Sequence, residues 1–555
     1  RAVQDLGAKA VEERAQDMSS VTERFIRSCK RQKWRSKVAD SMGVELTGGA
    51  LLMRTLLLRR LLRREILAPD EVNVGVLLPP TVPAIAVNAM LSIDRRVAVN
   101  LNYSVTQDVM QQSIDQAGIR HVLTSHKVME RFGFQLTTDV VMLEDYRDKI
   151  TLADKLFSLV AAYLVPAALL IRWLGLHQKK GDDLLTVIFT SGSTGEPKGV
   201  MLTHGNITSN VDAVLDVIQL RPTDVLLGIL PFFHSFGYTI TLWTVLSLDV
   251  KGVYHFSPLE ARQVGKLCKE HGATIILATP SFLRSYLRRC DQDELATLNV
   301  VVTGADKLPM EVADAFEAKF GVRPLEGYGC TETSPLVSVN IPPNRCLHGA
   351  HADCREGTVG RPIPGVAAKI VDLDSGEDLG PGQSGMLLIK GPNVMKGYLG
   401  RPDLTAQVIR DGWYVTGDVA LIDEDGFIKI TGRESRFSKI GGEMVPHIQI
   451  EEMLARLIGD IEEGLRVAVT AVPDVRKGER LVVLHLPLEQ SPSELCRGLV
   501  KLGLPSIYIP SPDSFACVDQ LPLLGSGKLD LRRLKQLALD TFRDPHGGIE
   551  MTNDE

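Results

Sequence analysis

The sequence lacks several features that mark other classes of protein. Its 555 residues carry a net charge of −6, and this absence of a basic surplus argues against nucleic-acid binding. The eight cysteines are scattered without the spacing of a disulfide framework, so we expect a reducing, cytoplasmic compartment. No internal repeat, low-complexity tract or signal peptide is visible. A chain of this length with 44% hydrophobic residues should form two or more globular domains.

An apolar segment, LFSLVAAYLVPAALLI, covers residues 156–171 between Lys155 and Arg172. A helix that spans a bilayer needs about 20 apolar residues, and Pro166 interrupts this run. Three interpretations stay open: a packed helix pair, an element lying in the membrane interface, and a membrane span. The interfacial interpretation predicts peripheral binding to the inner face of the cytoplasmic membrane. The basic pattern at 54–65 predicts a core helix with a solvated rim or a membrane-facing helix.

Short apolar runs alternate with helical patterns from residue 20 to about residue 432, for example at 72–80, 184–190 and 298–304. Strands separated by helices form parallel sheets with helices on both faces, so the predicted fold class is α/β. After residue 432 the pattern changes to short strands and two or three helices. The predicted units are a linker or upstream-domain tail at 1–20, a large domain at 21–432, a small α+β domain at 433–545 and a flexible tail at 546–555. Because the chain starts with Arg1 and a linker-like segment, we expect it to be part of a longer polypeptide.

A segment rich in glycine and hydroxyl groups, TSGSTGEPKG, follows a strand-like run at residues 190–199. Glycines let backbone N–H groups approach phosphate oxygens, while hydroxyls and a lysine add donors and positive charge. The Gly-Lys-Ser/Thr order of a Walker A loop is missing. The segment is therefore predicted to bind phosphate by a different loop, with the candidate residues Thr190, Ser191, Gly192, Ser193, Thr194, Gly195 and Lys198.

Six further motifs follow in a fixed order: PFFHSFG (231–237), TGADKL (303–308), GYGCTETSP (327–335), GWYVTGD (412–418), KITGRESRFSKIGGEMV (429–445) and PLLGSGKLD (522–530). With the phosphate loop, they resemble the adenylate-forming (AMP-dependent) synthetase superfamily over nearly the whole chain after residue 20. The resemblance implies a large N-terminal adenylate-forming domain of stacked, mostly parallel sheets, and a small C-terminal domain that is mobile about a hinge. It also implies ATP and Mg²⁺ as cofactors.

The resemblance assigns roles to individual residues. It places His234 at the acyl pocket, Glu332 on Mg²⁺ and Lys528 as the catalytic lysine. It assigns Asp418 and Arg433 to the ribose, and it assigns the rest of the nucleotide site to Gly304, Ala305, Asp306, Gly327, Tyr328, Gly329 and Thr331. The hinge position holds Ser435 where the family usually has Asp or Lys, and the pantetheine arm is expected to pass Gly441 and Gly442. These residue types suit the chemistry, because joining a carboxylate to an anionic phosphate requires cancellation of charge in the transition state.

The segments KIGGEMV, PLLGSGKLD, LPFFHSFG and TLADK resemble one branch of the superfamily. This branch is the acyl-[acyl-carrier-protein] synthetase half of the bifunctional 2-acylglycerophosphoethanolamine acyltransferases. The resemblance implies that a long-chain fatty acid is activated to acyl-AMP and passed to the phosphopantetheine thiol of acyl carrier protein, in support of phospholipid acylation. It further implies an upstream acyltransferase domain. One alternative is a fatty acyl-CoA synthetase. Another is a lipid-binding module without catalytic activity, which predicts that Lys528, Glu332 or the phosphate loop is replaced, and none of them is.

The segment RCLHGAHADCREG (345–357) contains two other patterns. His348 and Asp353 form the H-x4-D pair of acyltransferases, which we interpret as chance because it lies inside the synthetase motifs. Cys346, His348, His351 and Cys354 carry side chains that zinc accepts, but their spacing matches no strong template. A solvent-exposed loop and a metal site both stay open.

Overall fold

The computed structural model describes residues 20–191, 196–346, 353–433, 436–440, 443–459, 465–474, 478–523 and 529–542. Its strands, numbered along the chain, are β1 Ser36–Asp40, β2 Glu45–Thr47, β3 Asn73–Val76, β4 Val97–Asn100, β5 His121–Thr124, β6 Asp139–Met142, β7 Leu184–Ser191, β8 Pro197–Thr203, β9 Val225–Gly228, β10 Lys251–Tyr254, β11 Ile275–Ala278, β12 Val300–Thr303, β13 Leu325–Gly329, β14 Leu336–Val339, β15 Arg361–Pro362, β16 Ala367–Val371, β17 Gly385–Lys390, β18 Gly397–Tyr398, β19 Ile409–Arg410, β20 Trp413–Ile422, β21 Ile428–Arg433, β22 Phe437–Ile440, β23 Glu443–Pro446, β24 Val467–Asp474, β25 Gly478–His485 and β26 Phe515–Cys517.

The α-helices are α1 Val21–Arg31, α2 Gly48–Glu65, α3 Val82–Ile93, α4 Gln107–Ala117, α5 His126–Phe132, α6 Leu152–Tyr163, α7 Ala167–Trp173, α8 His204–Val217, α9 Thr244–Ser247, α10 Ala261–His271, α11 Pro280–Arg289, α12 Met310–Phe320, α13 Pro402–Val408, α14 His447–Ile458, α15 Pro492–Lys501 and α16 Leu531–Thr541. A π-helix, Phe236–Trp243, precedes α9. Most of these helices connect successive strands, as the alternating sequence pattern predicts.

Two large sheets form the body of the protein. The first has the strand order β15-β14-β13-β12-β11-β9-β10-β1-β2, and five of its eight neighbouring pairs are parallel. The second has the order β18-β8-β7-β4-β3-β5-β6, and four of its six pairs are parallel. Their central strands are buried on both faces, as in β12, which explains their continuous apolar sequence. The predicted α/β class with stacked, mostly parallel sheets is confirmed.

A third sheet, which the sequence pattern did not predict, has the order β16-β17-β20-β19, with β21 added beside β20. All of its pairs are antiparallel. Short connections join β16 to β17 and β20 to β21, whereas β18 and the helix α13 lie between β17 and β19. This sheet carries two of the predicted nucleotide-site residues at neighbouring positions, Asp418 and Arg433.

The apolar cores separate along the chain. One large core runs from Val21 to Ile428. Two smaller cores lie between Ile440 and Ala538, and alternate residues of β24 and β25 contribute to each of them. They therefore cover the two faces of the last sheet, β23-β22-β25-β24 with β26 beside β25. The predicted boundary near Arg433 falls between the two sets of cores and stays a prediction. Residues 1–19 and the predicted tail at 546–555 lie outside the described residues.

The apolar segment 156–171 belongs to two short helices, α6 and α7, with Pro166 between them. Ala161, Ala162 and Leu170 are buried, and Leu164 is 75% exposed. Among the described residues, no helix combines the length and apolarity that crossing a membrane requires. The basic segment at 54–65 lies in α2, which buries Leu56, Leu61 and Leu62 in the core.

Candidate active site

The predicted phosphate loop joins two paired strands. β7 and β8 form an antiparallel hairpin whose register places Thr190 opposite Lys198. The Lys198 Nζ lies 5.5 Å from the centre of the Tyr398 ring on β18, the neighbour of β8. The side chain of Ser191 and the loop residues Gly192, Ser193, Thr194 and Gly195 lie outside the described residues. The hairpin therefore positions the lysine, while the phosphate contacts of the loop stay a prediction.

The carboxylate of Glu332 shares a neighbour, Tyr398, with this lysine. Glu332 belongs to a short 3-10 turn, Thr331–Thr333, directly after β13. The Tyr398 hydroxyl donates a hydrogen bond of 2.8 Å to Glu332 Oε1. Burial, followed by the charge of Glu332, raises the pKa of Tyr398, so this phenol remains a neutral donor at physiological pH. Tyr398 thus connects Lys198 with Glu332 and fixes the carboxylate beside the phosphate loop.

The donor chemistry at Glu332 fits Mg²⁺. In proteins Mg²⁺ prefers oxygen ligands, and it usually binds through one or two carboxylates with substrate phosphates and waters. The described residues hold no cluster of three or more His, Cys, Asp or Glu side chains that could bind a metal by themselves. Glu332 therefore suits an ion that arrives with a nucleotide. When bound, Mg²⁺ would neutralise phosphate charge next to this carboxylate.

A second carboxylate, Asp418, lies between an arginine and a tyrosine. Arg433 on β21 pairs with Asp418 on β20, and its Nε lies 2.7 Å from Asp418 Oδ1. The Tyr328 hydroxyl donates to Asp418 Oδ2. Burial and then the charge of Asp418 raise the pKa of Tyr328, and the same charge raises the pKa of Arg433. The Asp418 side chain is 5% exposed and the Arg433 side chain is 62% exposed. The carboxylate is therefore buried, and the guanidinium group faces solvent.

The remaining predicted nucleotide residues lie at the ends of neighbouring strands. Gly304, Ala305 and Asp306 follow β12, and Gly327, Tyr328 and Gly329 lie in β13 beside it. A Cβ atom on Gly304 would lie 3.3 Å from the Phe236 ring and 3.6 Å from the Gly327 carbonyl oxygen. Ala305 has a φ of 73°, the left-handed region that costs an L-residue free energy. The close approach brings three motifs together at the carboxyl ends of parallel strands, where α/β sheets bind ligands.

The histidine motif contacts the Glu332 motif. The Ser235 hydroxyl lies 3.4 Å from the Thr331 hydroxyl, and His234 is exposed next to it. A π-helix begins at Phe236 directly after this motif, and π-helical turns are frequent at functional sites. A Cβ atom at Gly237 would lie 2.1 Å from the Pro231 carbonyl oxygen, so only glycine fits the turn that presents His234.

An apolar cavity of about 60 Å³ lies behind Phe236. Among its described lining residues only Thr244 carries a polar side chain. One wall of the cavity is formed by the strands β9, β11 and β12 and by the π-helix, with the side chains Leu226, Ile275, Leu277, Val300, Val302 and Phe236. Since Phe236 contacts the position of Gly304, the cavity is adjacent to the residues predicted to bind the nucleotide.

Sequence reasoning missed Tyr398 and the cavity-lining Phe236 as site residues. Phe236 lies inside the motif PFFHSFG, and Tyr398 ends the segment GPNVMKGY (391–398), which precedes the motif GWYVTGD, so the signal for both was the motif order itself. Lys528, Ser435, Gly441, Gly442, His348 and His351 lie outside the described residues, and their predicted roles stay predictions. Cys346 and Cys354 are free thiols, and burial raises the pKa of each. Asp353 pairs with Arg361 at 3.3 Å.

Comparison with known proteins agrees with this arrangement. Residues 25–399 match the model of the AMP-binding enzyme family. The chain belongs to this family. It is 30% identical over 449 residues to a long-chain-fatty-acid–CoA ligase of Escherichia coli O157:H7, covering 77% of this chain and 75% of that enzyme. It is 32% identical over 363 residues to the enzyme of the same name from Bacillus subtilis, and this match spans only 61% of that relative.

Solved structures support the fold of this AMP-binding enzyme. The ATP-bound MatB from Rhodopseudomonas palustris superposes with a TM-score of 0.77 at 24% identity, covering 95% of this chain and all of that one. The o-succinylbenzoate CoA synthetase from Bacillus subtilis, in complex with an acyl-adenylate, gives a TM-score of 0.76 at 21% identity and covers 92% of this chain. At these identities the similarity concerns the fold, including the small C-terminal domain.

Proposed function

We propose that this AMP-binding enzyme is an acid–thiol ligase that activates a fatty acid. The observation that carries the proposal is the apolar cavity lined by Phe236, whose ring also borders Gly304, a residue predicted to bind the nucleotide. A pocket lined almost wholly by alkyl and aromatic groups favours an acyl chain, because each buried CH₂ contributes about 0.8 kcal/mol. The named relatives, which are long-chain-fatty-acid–CoA ligases, agree with that substrate class.

The proposed reaction has two steps. In the first, a carboxylate oxygen attacks the α-phosphorus of ATP, giving acyl-AMP and pyrophosphate. In the second, a thiolate attacks the acyl carbon and AMP leaves. The paired Asp418 and Arg433 suit the ribose, since a carboxylate accepts hydrogen bonds from two hydroxyls. Lys198 and the predicted Lys528 would offset the negative charge that two anionic reactants bring together.

The acceptor thiol belongs to either CoA or acyl carrier protein. The names of the relatives support CoA better, because they are CoA ligases and synthases. The resemblance of the motifs KIGGEMV and PLLGSGKLD supports carrier protein, together with phospholipid acylation and an upstream acyltransferase domain. We therefore propose CoA as the first candidate and carrier protein as the second. The scattered cysteines, all free thiols, are consistent with a cytoplasmic enzyme.

Pyrophosphate release tests the first step. The wild-type protein should release pyrophosphate from ATP in the presence of fatty acids, and the Lys528→Ala variant should lose this activity while ATP binding remains. Lys535→Ala is a matched control, because Lys535 lies on the helix α16 that follows Lys528 in the chain and has no proposed role in the chemistry. Its Nζ lies 3.2 Å from the Glu479 carboxylate of β25. Equal activity of the Lys528 variant would contradict the assigned role.

Thioester formation separates the two acceptors. The activated protein is offered CoA or phosphopantetheinylated carrier protein at equal concentration, and the acyl thioester is measured by mass spectrometry. Product with CoA supports the first candidate, and product with carrier protein alone supports the second. Failure of both acceptors, with pyrophosphate release intact, would exclude a thiol ligase.

A further inference from the structure

The exposed apolar side chains of this protein are concentrated in one place. Seventeen large hydrophobic side chains are exposed among the described residues, and seven of them lie between Leu152 and Trp173. These 22 residues form the helices α6 and α7. Scattered exposed leucines are ordinary on protein surfaces, but a contiguous group of this kind marks an interaction site.

Helix α6 has its polar and apolar faces reversed relative to a usual surface helix. Leu152, Leu156 and Leu159 recur at helical spacing, and with Leu164 at the C-terminal cap they are 46–81% exposed. The one acidic residue of the segment, Asp154, is buried instead, where Arg60 Nε and Arg64 Nη1 lie 2.9 and 2.7 Å from its carboxylate oxygens. These two arginines hold the pKa of Asp154 well below its usual range against the opposing effect of burial. The chain thus buries a charge and presents leucines to the outside.

The helices α6 and α7 are attached to the body of the protein by hydrogen bonds and by core packing. Lys30 Nζ donates to the carbonyl oxygens of Ala161, Ala162 and Val165 at 2.6, 2.7 and 2.5 Å. These carbonyls end α6, where a cation is electrostatically favourable. Leu170 anchors α7 in the core with no exposed surface. The leucine face therefore keeps its orientation relative to the body of the enzyme.

The charges and aromatic rings around this face suit a lipid bilayer. Both exposed charged residues of the segment, Lys155 and Arg172, are basic. Trp173 is 58% exposed, and its ring centre lies 5.0 Å from that of Phe157, with the two ring planes tilted by 52°. Trp34 is 72% exposed and lies 5.0 Å from Tyr163 at the other end of α6. Tryptophan and basic residues beside an apolar face are typical of elements that lie in the interface of anionic membranes.

We propose that the exposed face of α6 and α7 docks on a bilayer containing anionic phospholipid. The 12 residues of α6 span about 18 Å, and the hydrocarbon core is about 30 Å thick, so the helix lies in the plane of the interface. The leucines enter the acyl-chain boundary, while Lys155 and Arg172 contact phosphate groups. The delivery of fatty acid from that bilayer rests on the proposed function, whereas the docking itself does not.

Vesicle co-sedimentation of the full chain tests the proposal. Vesicles of phosphatidylcholine, with and without phosphatidylglycerol, are titrated with wild type and with the double variant Leu156→Gln and Leu164→Gln. The double variant should lower the partition coefficient at least tenfold. A double variant of Leu259→Gln and Leu502→Gln, at exposed leucines outside the helix pair, is the matched control and should bind as wild type does.

Charge reversal and oligomeric state complete the test. Lys155→Glu with Arg172→Glu should remove the preference for phosphatidylglycerol and leave binding to neutral vesicles unchanged. Equal binding of all variants, or no binding by wild type, would overturn the proposal. A wild-type dimer that the leucine variant dissociates would also overturn it in favour of a second copy as the occupant. Pyrophosphate release with a water-soluble acid, measured without vesicles, reports separately on the proposed function.

Discussion

Replacing Val300 with phenylalanine should shorten the fatty acids that the enzyme accepts. Side chains alternate along a strand, so Val300 and Val302 point to the same face of β12, and both line the apolar cavity. Val302 is nearer the strand end that continues into Gly304, and Val300 lies about 7 Å farther from the candidate site. A larger side chain at Val300 therefore occupies the remote end of the cavity.

The size of the effect follows from the volume that is lost. Phenylalanine adds four side-chain carbon atoms to the wall of this cavity, and their volume excludes about two methylene groups of a long acyl chain. At about 0.8 kcal/mol for each CH₂, the loss is about 1.6 kcal/mol. Since about 1.4 kcal/mol changes a rate constant tenfold, kcat/KM for hexadecanoate should fall about 14-fold. Hexanoate, which does not reach Val300, should be unaffected.

The assay is pyrophosphate release across saturated acids from hexanoate to hexadecanoate, with the ratio of kcat/KM values as the readout. Val301→Leu is the matched control, because Val301 points to the opposite face of the same strand. Melting curves identify variants that are merely destabilised, and Val300→Leu provides a milder substitution with a smaller shift in the same direction. An equal loss for short and long acids, or an unchanged ranking, would refute the assignment of this cavity to the acyl chain.

Two further predictions concern binding and stability. Asp418→Asn should weaken AMP binding about 10- to 150-fold, because hydrogen bonds to a charged group contribute about 1.5–3 kcal/mol. Isothermal titration calorimetry measures the dissociation constant of AMP. Asp423→Asn, in the connection between β20 and β21, is the control and should bind AMP as wild type does. Burial lowers the pKa of Lys179 to about 7, so between pH 7 and about 10 the unfolded chain binds more protons than the folded chain. The free energy of unfolding of wild type, relative to Lys179→Met, should therefore rise with pH in that window, and a constant difference in urea titrations would contradict this.

The sequence pattern identified the parts of the fold that local rules determine. Buried parallel strands produce continuous apolar runs, so β3, β7 and β12 were found from the sequence, and the helices between them followed. The motif order identified Glu332, Asp418 and Arg433 as candidates before any distance was known. These strands and site residues could be predicted from short segments, because in each segment a strand, a turn and a charged side chain occur within a few consecutive residues.

The antiparallel third sheet and the apolar cavity were not predictable in the same way. The cavity depends on contacts between residues far apart in the chain, such as Phe236 beside Gly304. The third sheet depends on the pairing of β17 with β20, which skips β18 and α13. The orientation of α6 was also undetermined, because a helix rich in leucine has the same period whether its leucines face the core or the outside. The burial of Asp154 against Arg60 and Arg64 decided this orientation, and those partners precede it by about 90 residues.

The candidate site is formed where three sheets meet. Lys198 comes from the second sheet, Glu332 follows β13 of the first, and Asp418 lies on β20 of the third. Tyr398 and Tyr328 cross between these sheets through their hydrogen bonds to the two carboxylates. Two fixed carboxylates would repel a triphosphate, so the site needs cations at the same junction, and Lys198 and Arg433 supply part of that charge. Because Lys198, Glu332 and Asp418 come from three different sheets, correct docking of the sheets is itself a condition for nucleotide binding.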